Sequence, residues 1–544
     1  MELLRSNLAN STVQPPRPIP PWYRWELMVL LWLTFSLHQI DRVIFAVQYD
    51  NIRDELGLTD FQMGLCAWLL FVVMAALVPL AGYVGDRYSK KWIITIALIF
   101  WSSATVLTGM AKGIASLVMW RSFATGGGEA FYGPASTAMI ASFHKKTRAI
   151  ALSIHQSAVY FGPMIAAYVG VIIGNAFGWR AVFFFFGGLG VLLGLLLMYR
   201  LREAPIAGDS DTGIDEQMFD TTPTREKISL WEAVKPILRF PVILCLAVGL
   251  IVAFLYAKHI TFIGEEFGWY SILYVLGALG VFIGIFVMYR LRTGKAQVAT
   301  STDISEGSRD LMAEEQVREE QRVQEKIPFW TAVRQIVRIP TVLLLVVGFT
   351  AIVFVNNAYL TIAPTYIYDR FDDVTRFQAS FYGMSMHFIA AFIGVMGGAF
   401  LSDTLVRRWS RFRILLQTTV MFLGAPMVFL IGYVDSVAAL WVVLFMFGLF
   451  RGLYEANTYA AIYDVVPPKL RAMVVGLALL VAMSVGAFGP LFFGYMGTLY
   501  EAAELARSDG FAMAFRYTSL VWVLGGFCVL MTVLFTFKKD RLKD

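Results

Sequence analysis

Long apolar stretches recur along the whole chain and are separated by shorter polar or charged segments. A helix needs about 20 apolar residues to cross the hydrocarbon core of a bilayer. Stretches of about this length lie near residues 25–47, 62–84, 91–110, 114–143, 147–173, 179–199, 241–260, 268–289, 340–362, 377–402, 412–433, 437–463, 471–499 and 511–537. The pattern predicts an all-α integral membrane protein with fourteen transmembrane helices.

Composition agrees with this interpretation. The chain has 544 residues, of which 58% are hydrophobic and 15% are charged, whereas ordinary soluble domains carry about 25% charged residues. The excess apolar surface is therefore expected to face lipid. The net charge of +6 resides in particular loops, which indicates membrane orientation and excludes a nucleic-acid partner.

The basic residues recur on alternate sides of the predicted helices. They are Arg17 and Arg24; Arg87, Lys90 and Lys91; Lys145, Lys146 and Arg148; Arg200 and Arg202; Arg290 and Arg292; Arg407, Arg408 and Arg411; Lys469 and Arg471; and Lys538, Lys539 and Arg541. The opposite loops are short or acidic, as at 50–60, 369–373 and 501–509. By the positive-inside rule, both termini are predicted to be cytoplasmic, in a multi-pass protein of the cell (inner) membrane.

Two segments of the chain are copied further along it. Residues 177–202 return as 267–292, and residues 226–241 return as 325–340. The copied unit is a helix, a cytoplasmic loop and a helix, as expected for a tandem duplication. Because the copy adds two crossings, the half of the chain that follows keeps its orientation.

The predicted architecture is therefore six helices, an inserted pair, and six more helices. Its parts are a cytoplasmic tail (1–24), an N-terminal six-helix bundle (25–202), cytoplasmic loops with the inserted helix pair at about 241–289 (203–338), a C-terminal six-helix bundle (339–537) and a second cytoplasmic tail (538–544). Amphipathic stretches around Trp231 and Trp330 are expected to lie along the membrane surface.

Four ionisable residues fall inside predicted crossings. Asp41 and Arg42 lie within 25–47, and Arg121 and Glu129 lie within 114–143. Charged groups at membrane depth are costly and usually face a bundle interior or a wet cavity, so they predict a solute pathway. Burial favours a neutral carboxyl group and a nearby guanidinium favours a charged one. Glu129 is therefore predicted to be the main proton acceptor, with Asp41 and Arg42 as its coupling partners.

A static arrangement is the alternative to proton coupling. In it, Asp41 pairs with Arg42 and Arg121 pairs with Glu129 as buried ion pairs, which often add little net stability. Other polar residues at membrane depth are predicted to line a substrate cavity together with Arg121, although each is individually typical of an interhelical hydrogen bond. They are His38, Tyr132, His155, Gln156, Tyr160, Asn356, Asn357, His387, Glu455 and Asn457.

A loop motif follows the second predicted helix and has a weaker counterpart in the second half. The first contains Gly82, Gly85, Asp86, Arg87, Lys90 and Lys91, and the second contains Asp403, Arg407 and Arg408. The first motif resembles the GxxxDRxxRK loop of the major facilitator superfamily. The resemblance implies two six-helix bundles that alternate access. It also implies a role in holding one gated state for Gly82, Asp86, Arg87, Lys90, Asp403 and Arg407.

Two further motifs narrow the resemblance. The sequence HQIDR ends at Arg42, and GGGEAFYGP runs from Gly126 to Pro134; both resemble the Spinster-like branch of the superfamily. The GWR sequence at 178–180 and the GxGE pattern that ends at Glu129 are similar to those of the hexuronate and organic-anion symporters.

Proton-coupled symport of a small organic anion, such as a sugar acid or an acidic oligosaccharide fragment, is the preferred function. A carrier of a lysolipid or another amphiphile is one alternative, and a transporter-derived membrane sensor is another. The chain has no GxSxG, HExxH or phosphate-binding loop that would favour an enzyme. The expected partners are the small-molecule substrate, protons and the lipid bilayer; a monomer without cofactor or metal is expected.

Overall fold

The computed structural model describes residues 20, 22–144, 147–203, 329–406, 409 and 411–541. Within these ranges every regular element is a helix, and eleven helices have the length and hydropathy needed to cross a membrane. The predicted inserted pair at 241–289 and the amphipathic stretch at Trp231 lie outside the described residues. The expectation of fourteen crossings therefore stays a prediction, whereas the all-helical membrane fold is confirmed.

The first half of the chain forms one set of helices. They are α1 (Tyr23–Val47), α2 (Tyr49–Leu56), α3 (Asp60–Arg87), α4 (Lys90–Thr108), α5 (Ile114–Leu117), a π-helix (Val118–Thr125), α6 (Gly126–Glu129), α7 (Tyr132–Phe143), α8 (Arg148–Phe177) and α9 (Trp179–Arg200).

The second half forms a corresponding set. Its helices are α10 (Phe329–Val337), α11 (Pro340–Arg370), α12 (Arg376–Leu405), α13 (Phe412–Ile431), α14 (Val437–Glu455), α15 (Thr458–Tyr463), a 3₁₀ turn (Pro468–Leu470), α16 (Arg471–Gly486), α17 (Phe488–Ala502), α18 (Arg507–Met531), a π-helix (Thr532–Thr536) and α19 (Phe537–Asp540). The short helix α10 buries Ala332 and Ile336 and exposes Trp330, as expected of an amphipathic segment.

The two halves repeat the same local signals and the same packing. Helices α3 and α12 both begin with a capping box, in which Thr59 pairs with Gln62 and Thr375 pairs with Gln378. Helix α4 packs against α9 as α13 packs against α18, and α1 packs against α8 as α11 packs against α16 and α17. Across the interface between the halves, α3 contacts α16 and α17, and α8 contacts α12.

Among the described residues, tight contacts between the two halves lie at one end of the helices. We call this the acidic end, since it carries the loops at 50–60, 369–373 and 501–509, and we call the opposite end the basic end. At the acidic end, a Cβ on Gly64 would come within 2.5 Å of the Pro490 carbonyl. A Cβ on Gly82 or Gly85, near the basic end of α3, would meet nothing within 4 Å. Within the part of the chain that the structure describes, no neighbouring helix therefore packs closely against Gly82 or Gly85.

Three predicted single crossings are interrupted in the structure. The segment at 114–143 is divided among α5, the π-helix, α6 and α7, the segment at 437–463 is divided between α14 and α15, and the segment at 471–499 is divided at Ala487. Mean hydropathy predicts which residues lie in lipid but not whether the helix continues through them, so these interruptions were not predicted.

Helix α11 extends beyond the predicted end at residue 362 to Arg370. Its last turns are more polar than a lipid-embedded stretch, and contacts with neighbouring helices hold them. Arg370 lies 2.8 Å from Asp435 and 2.6 Å from Asp509. These ion pairs join the ends of three helices, which explains why α11 continues beyond its apolar residues.

Candidate functional site

The fourth crossing places Glu129 in the interior of the first half. A π-helix precedes the residue, and such wide turns are often found at functional positions. Gly126 and Gly128 let the backbone approach α3 and α4, because a Cβ at either position would come within 2.9 Å of Leu70 or Trp101. Helix α6 then ends at Glu129, whose side chain is fully buried.

Glu129 shares one carboxylate oxygen between two partners from α1. Arg42 donates from Nε to Oε2 over 3.2 Å, and Nε2 of His38 lies 3.5 Å from the same oxygen. Among the residues that the structure describes, none donates a hydrogen bond to the other oxygen, Oε1. A buried carboxylate oxygen without a donor is well placed to accept a proton.

Asp41 lies beside Glu129 and has further partners of its own. Thr105 donates to its Oδ1 over 2.9 Å, and Arg121 Nη1 lies 3.8 Å from its Oδ2. Arg121 also donates to the backbone carbonyl of Asp41 over 3.0 Å. The four charged residues therefore pair as Arg42 with Glu129 and Arg121 with Asp41. The static alternative had instead paired Asp41 with Arg42 and Arg121 with Glu129.

Aromatic groups from three helices extend this cluster. Tyr132 donates to the Leu31 carbonyl over 2.7 Å, and its hydroxyl lies 2.9 Å from His155 Nε2. Since the hydroxyl has a single proton, His155 must donate from Nε2. Its Nδ1 has no hydrogen-bond partner among the residues that the structure describes. The His155 ring stacks on Phe35, with ring centroids 4.5 Å apart.

The second half contains a comparable charged cluster. Arg451 is buried and contacts Glu455 Oε1 through Nε at 2.9 Å and Nη2 at 2.8 Å. Its Nη1 lies 2.8 Å from His387 Nε2. Because a guanidinium only donates, Nε2 of His387 must accept, so His387 is neutral and carries its proton on Nδ1.

One hydrogen bond joins this second cluster to the first half. Tyr160 of α8 donates to Glu455 Oε2 over 3.4 Å, and its ring packs edge-on against Phe392 at 5.6 Å. The structure therefore brings together Tyr160, Glu455 and His387, which were predicted separately from three helices.

The glutamates of the two clusters occupy corresponding positions. Helix α6 ends at Glu129 and helix α14 ends at Glu455; in each half an alanine follows and a new helix begins within a few residues. Arg451 was missed in the sequence analysis. The sequence feature that could have identified Arg451 is its spacing of four residues from Glu455, because residues at this spacing lie on one face of a helix.

The remaining predicted substrate contacts are distributed differently. Asn356 Oδ1 and Asn357 Nδ2 are buried and have no hydrogen-bond partner among the described residues. Asn457, which precedes α15, donates to the Leu453 carbonyl of α14 over 3.4 Å, which is a structural contact. Gln156 is exposed, whereas His155 beside it is buried.

At the acidic end, Arg507 joins three carboxylates from both halves. It contacts Asp50 at 2.7 Å, Asp369 at 2.6 Å and Asp60 at 3.7 Å. Arg53 lies 3.0 Å from Asp60 and also pairs with Glu501. We call Arg507, Asp50, Asp60, Asp369, Arg53 and Glu501 the Arg507 network. In the sequence analysis, the acidic loops served only to predict orientation. Each of these loops also contains an arginine, and these arginines could have indicated ion pairs between the loops.

A comparison with protein families decides the classification. The model of the Major Facilitator Superfamily matches residues 31–263 and 259–490. The chain belongs to this superfamily.

Individual members of the superfamily share parts of the sequence. The probable galactarate/D-glucarate transporter GudP of Bacillus subtilis is 27% identical over 231 residues, which are 40% of this chain and 50% of that protein. Protein spinster homolog 1 of Xenopus tropicalis is 26% identical over 269 residues, or 48% of this chain and 45% of that protein. The chain thus matches half or less of the length of these curated relatives, which are transporters and not enzymes.

The fold is shared more completely than the sequence. A bacterial homologue of the human lysosomal transporter Spinster, in an inward-facing and unoccupied conformation, superposes with a TM-score of 0.66. The match covers 97% of this chain and 100% of that chain at 19% sequence identity. The resemblance to Spinster proteins and to sugar-acid transporters is confirmed by these matches.

The superfamily loop motifs fall mostly beyond what the structure describes. The side chains of Asp86, Arg87 and Asp403, and the whole of Arg407, lie outside the described residues. Lys90 begins α4, and the Ser89 hydroxyl before it accepts a hydrogen bond from the Trp92 backbone. The gating role implied for these motifs stays a prediction.

Proposed function

We propose that this superfamily member is a secondary active transporter that couples the movement of a small organic anion to protons by alternating access. A sugar acid or an acidic oligosaccharide fragment is the substrate class that the charged site fits best. Two observations support the proposal. The chain is similar to transporters of sugar acids, and the charged clusters around Glu129 and Glu455 face the interface between the two halves.

The contact between Glu129 and Arg42 carries this proposal. A buried carboxylate is costly unless a cation compensates it. If a conformational change separates Arg42 from Glu129, the buried carboxyl group loses its compensating cation, and protonation becomes favourable. Arg42 then becomes available to an anionic substrate. Proton binding and substrate binding would then be linked through one guanidinium, as symport requires.

The orientation follows from the charged ends. By the positive-inside rule the basic end is cytoplasmic, so we propose that both termini are cytoplasmic and that the protein lies in the cell inner membrane. The Arg507 network then closes the external side. One chain provides both halves of the site, and a monomer therefore suffices.

The test is transport by purified protein in proteoliposomes with an imposed pH gradient. Glu129→Gln should abolish gradient-driven uptake of sugar acids while retaining exchange of substrate between the two sides. Glu504→Gln, which alters an exposed carboxylate at the acidic end, is the matched control and should leave uptake unchanged.

Unchanged gradient-driven uptake by Glu129→Gln would contradict the proton-coupling role. Transport of a lysolipid without transport of any sugar acid would contradict the substrate class. Binding without any flux would favour a membrane sensor.

A further inference from the structure

We propose that Glu455 is a specificity-determining residue that restricts the substrate to a monoanion with hydrogen-bond donors, hydroxyl or ammonium, at its other end. This inference rests on the proposed function and adds the charge pattern of the substrate. It predicts discrimination against dicarboxylates, which are the compounds named for the Bacillus relative.

The two charged clusters present opposite charges to the accessible space. In the first half, the Arg42 side chain is 17% exposed and that of Glu129 is 0% exposed. In the second half the order is reversed, since the Glu455 side chain is 25% exposed and that of Arg451 is 4% exposed. The first half therefore offers a cation to a ligand, and the second half offers an anion.

Arg42 lies beside the interface between the halves. Its Nη2 is 3.2 Å from the sulfur of Met74, and its guanidinium lies over the ring of Phe71 at 5.8 Å. Phe71 and Met74 pack in one apolar cluster with Ala487 and Leu491 of the second half. A ligand held by Arg42 is thus close to the helices of the other half.

Glu455 lies at the same interface from the opposite side. Arg451 holds its Oε1 with two donors, whereas Oε2 has the longer 3.4 Å contact with Tyr160. A ligand hydroxyl or ammonium group can replace this weak bond without disturbing the Arg451 pair. Two buried asparagine groups, Asn356 Oδ1 and Asn357 Nδ2, have no hydrogen-bond partner within the described part of the chain and add unsatisfied polar groups to the second half.

The chemistry of the two groups sets the selectivity. A guanidinium binds a carboxylate with two parallel hydrogen bonds. A carboxylate accepts hydrogen bonds from hydroxyl or ammonium groups and repels a second carboxylate, and such repulsion is an effective means of rejecting a related ligand. A polyhydroxy monoacid satisfies both ends, whereas the corresponding diacid places a negative charge near Glu455.

The test compares D-gluconate with D-glucarate, which share one carbon skeleton and differ by one carboxylate. Binding to the purified full-length protein in detergent is measured by calorimetry at a pH where both acids are ionised. The wild-type protein should bind gluconate about tenfold or more tightly than glucarate, given the usual cost of placing like charges together. Glu455→Gln should bring the two affinities to within about threefold, mainly by improving glucarate binding.

Two further variants serve as controls for this comparison. Tyr160→Phe removes the hydroxyl but keeps the charge of Glu455, so it should retain the preference for gluconate. Glu504→Gln should behave as wild type. Thermal unfolding of each variant reports whether it is folded. A misfolded Glu455→Gln would be replaced by Glu455→Ala, which also removes the charge and should also reduce the preference for gluconate.

Each outcome bears on the inference. Equal binding of the two acids by the wild-type protein, or an unchanged preference in Glu455→Gln, overturns it. Binding of neither acid overturns it together with the proposed substrate class. Selective binding without proton-driven uptake supports the inference and contradicts only the coupling part of the proposed function.

Discussion

Arg507 in the second half lies 2.7 Å from Asp50 in the first half, and this ion pair ties the two halves together at the acidic end. The same guanidinium also holds Asp369 of its own half. Because one cation compensates carboxylates from both sides, separation of the halves would leave acidic groups without their partner. The pair therefore stabilises the conformation that is closed at this end.

Replacement of Arg507 by Gln is expected to open the acidic end. The three carboxylates around it would repel each other, and removal of one member of a buried ion pair commonly costs about 3–5 kcal/mol, less here because Arg507 is partly exposed. The opening can be measured with a cysteine introduced at Thr498 (Thr498→Cys), in a protein whose native cysteines are replaced by serine. The rate at which a membrane-impermeant maleimide reacts with this cysteine is recorded. Thr498 accepts a hydrogen bond from the Phe61 backbone across the interface, so the cysteine at this position should react several-fold faster when the halves separate.

The matched control for this experiment is Arg180→Gln. Arg180 also lies at the acidic end, but its contacts with Glu55 and with the carbonyls of Gly109 and Ala111 all belong to the first half. Its loss should leave the labelling rate unchanged. Equal acceleration by both variants would show that Arg507 does not act as a bridge between the halves.

Gly494→Ala is expected to hinder closure of the same end. A Cβ on Gly494 would overlap the Asp60 carbonyl of α3, and overpacking of a tight contact costs about 1–3 kcal/mol. The closed conformation alone should bear this cost, so the maleimide reaction at Thr498→Cys should again become faster. Gly476→Ala, whose Cβ would meet nothing within 4 Å, is the control, and an effect as large as that of Gly494→Ala would refute the steric explanation.

Thr105→Val keeps the shape of the side chain but removes its hydroxyl, which lies 2.9 Å from Asp41 Oδ1 and 3.0 Å from the Trp101 carbonyl. A hydrogen bond to a charged group contributes about 1.5–3 kcal/mol, so the unfolding temperature in detergent should fall. Thr108→Val is the control, since Thr108 donates only to the Ala104 carbonyl of its own helix. If both variants lower the unfolding temperature equally, the contact between Thr105 and Asp41 does not add to the thermal stability of the protein.

The stability of the acidic end should decrease in acid through Glu55. The hydrogen bond from Trp179 Nε1, at 2.6 Å, and the neighbouring Arg180 guanidinium hold the pKa of Glu55 below its ordinary value of 4.5. A depressed pKa in the folded state adds stability above 4.5 that is lost as pH falls below it. Thermal unfolding of the wild-type protein should therefore shift to lower temperature across this range.

Glu55→Gln should reduce that acid-dependent shift, because it removes the titrating group. Glu504→Gln, at an exposed position of the same end, should retain the wild-type pH dependence. A wild-type profile in Glu55→Gln would show that other carboxylates determine the response to acid.

The sequence by itself determined which of the described segments are long apolar helical stretches, and that Asp41 and Glu129 lie within them. The free energy of transferring a stretch into lipid depends on the residues of that stretch, so a local pattern predicts it. The described helices accordingly begin or end close to the predicted bounds, as α1 does at Tyr23 and Val47. Where they run longer, as α11 does to Arg370, contacts with other helices hold the extension.

Only the tertiary structure decided which charged residues pair. Arg42 bonds Glu129 of another helix rather than Asp41 beside it, and Arg507 bonds Asp50, which lies far away along the chain. The spacing of residues within a helix does not specify how two helices face each other, and ion pairing depends steeply on that distance. For this reason the sequence located the polar groups of the site, while packing between helices selected their partners.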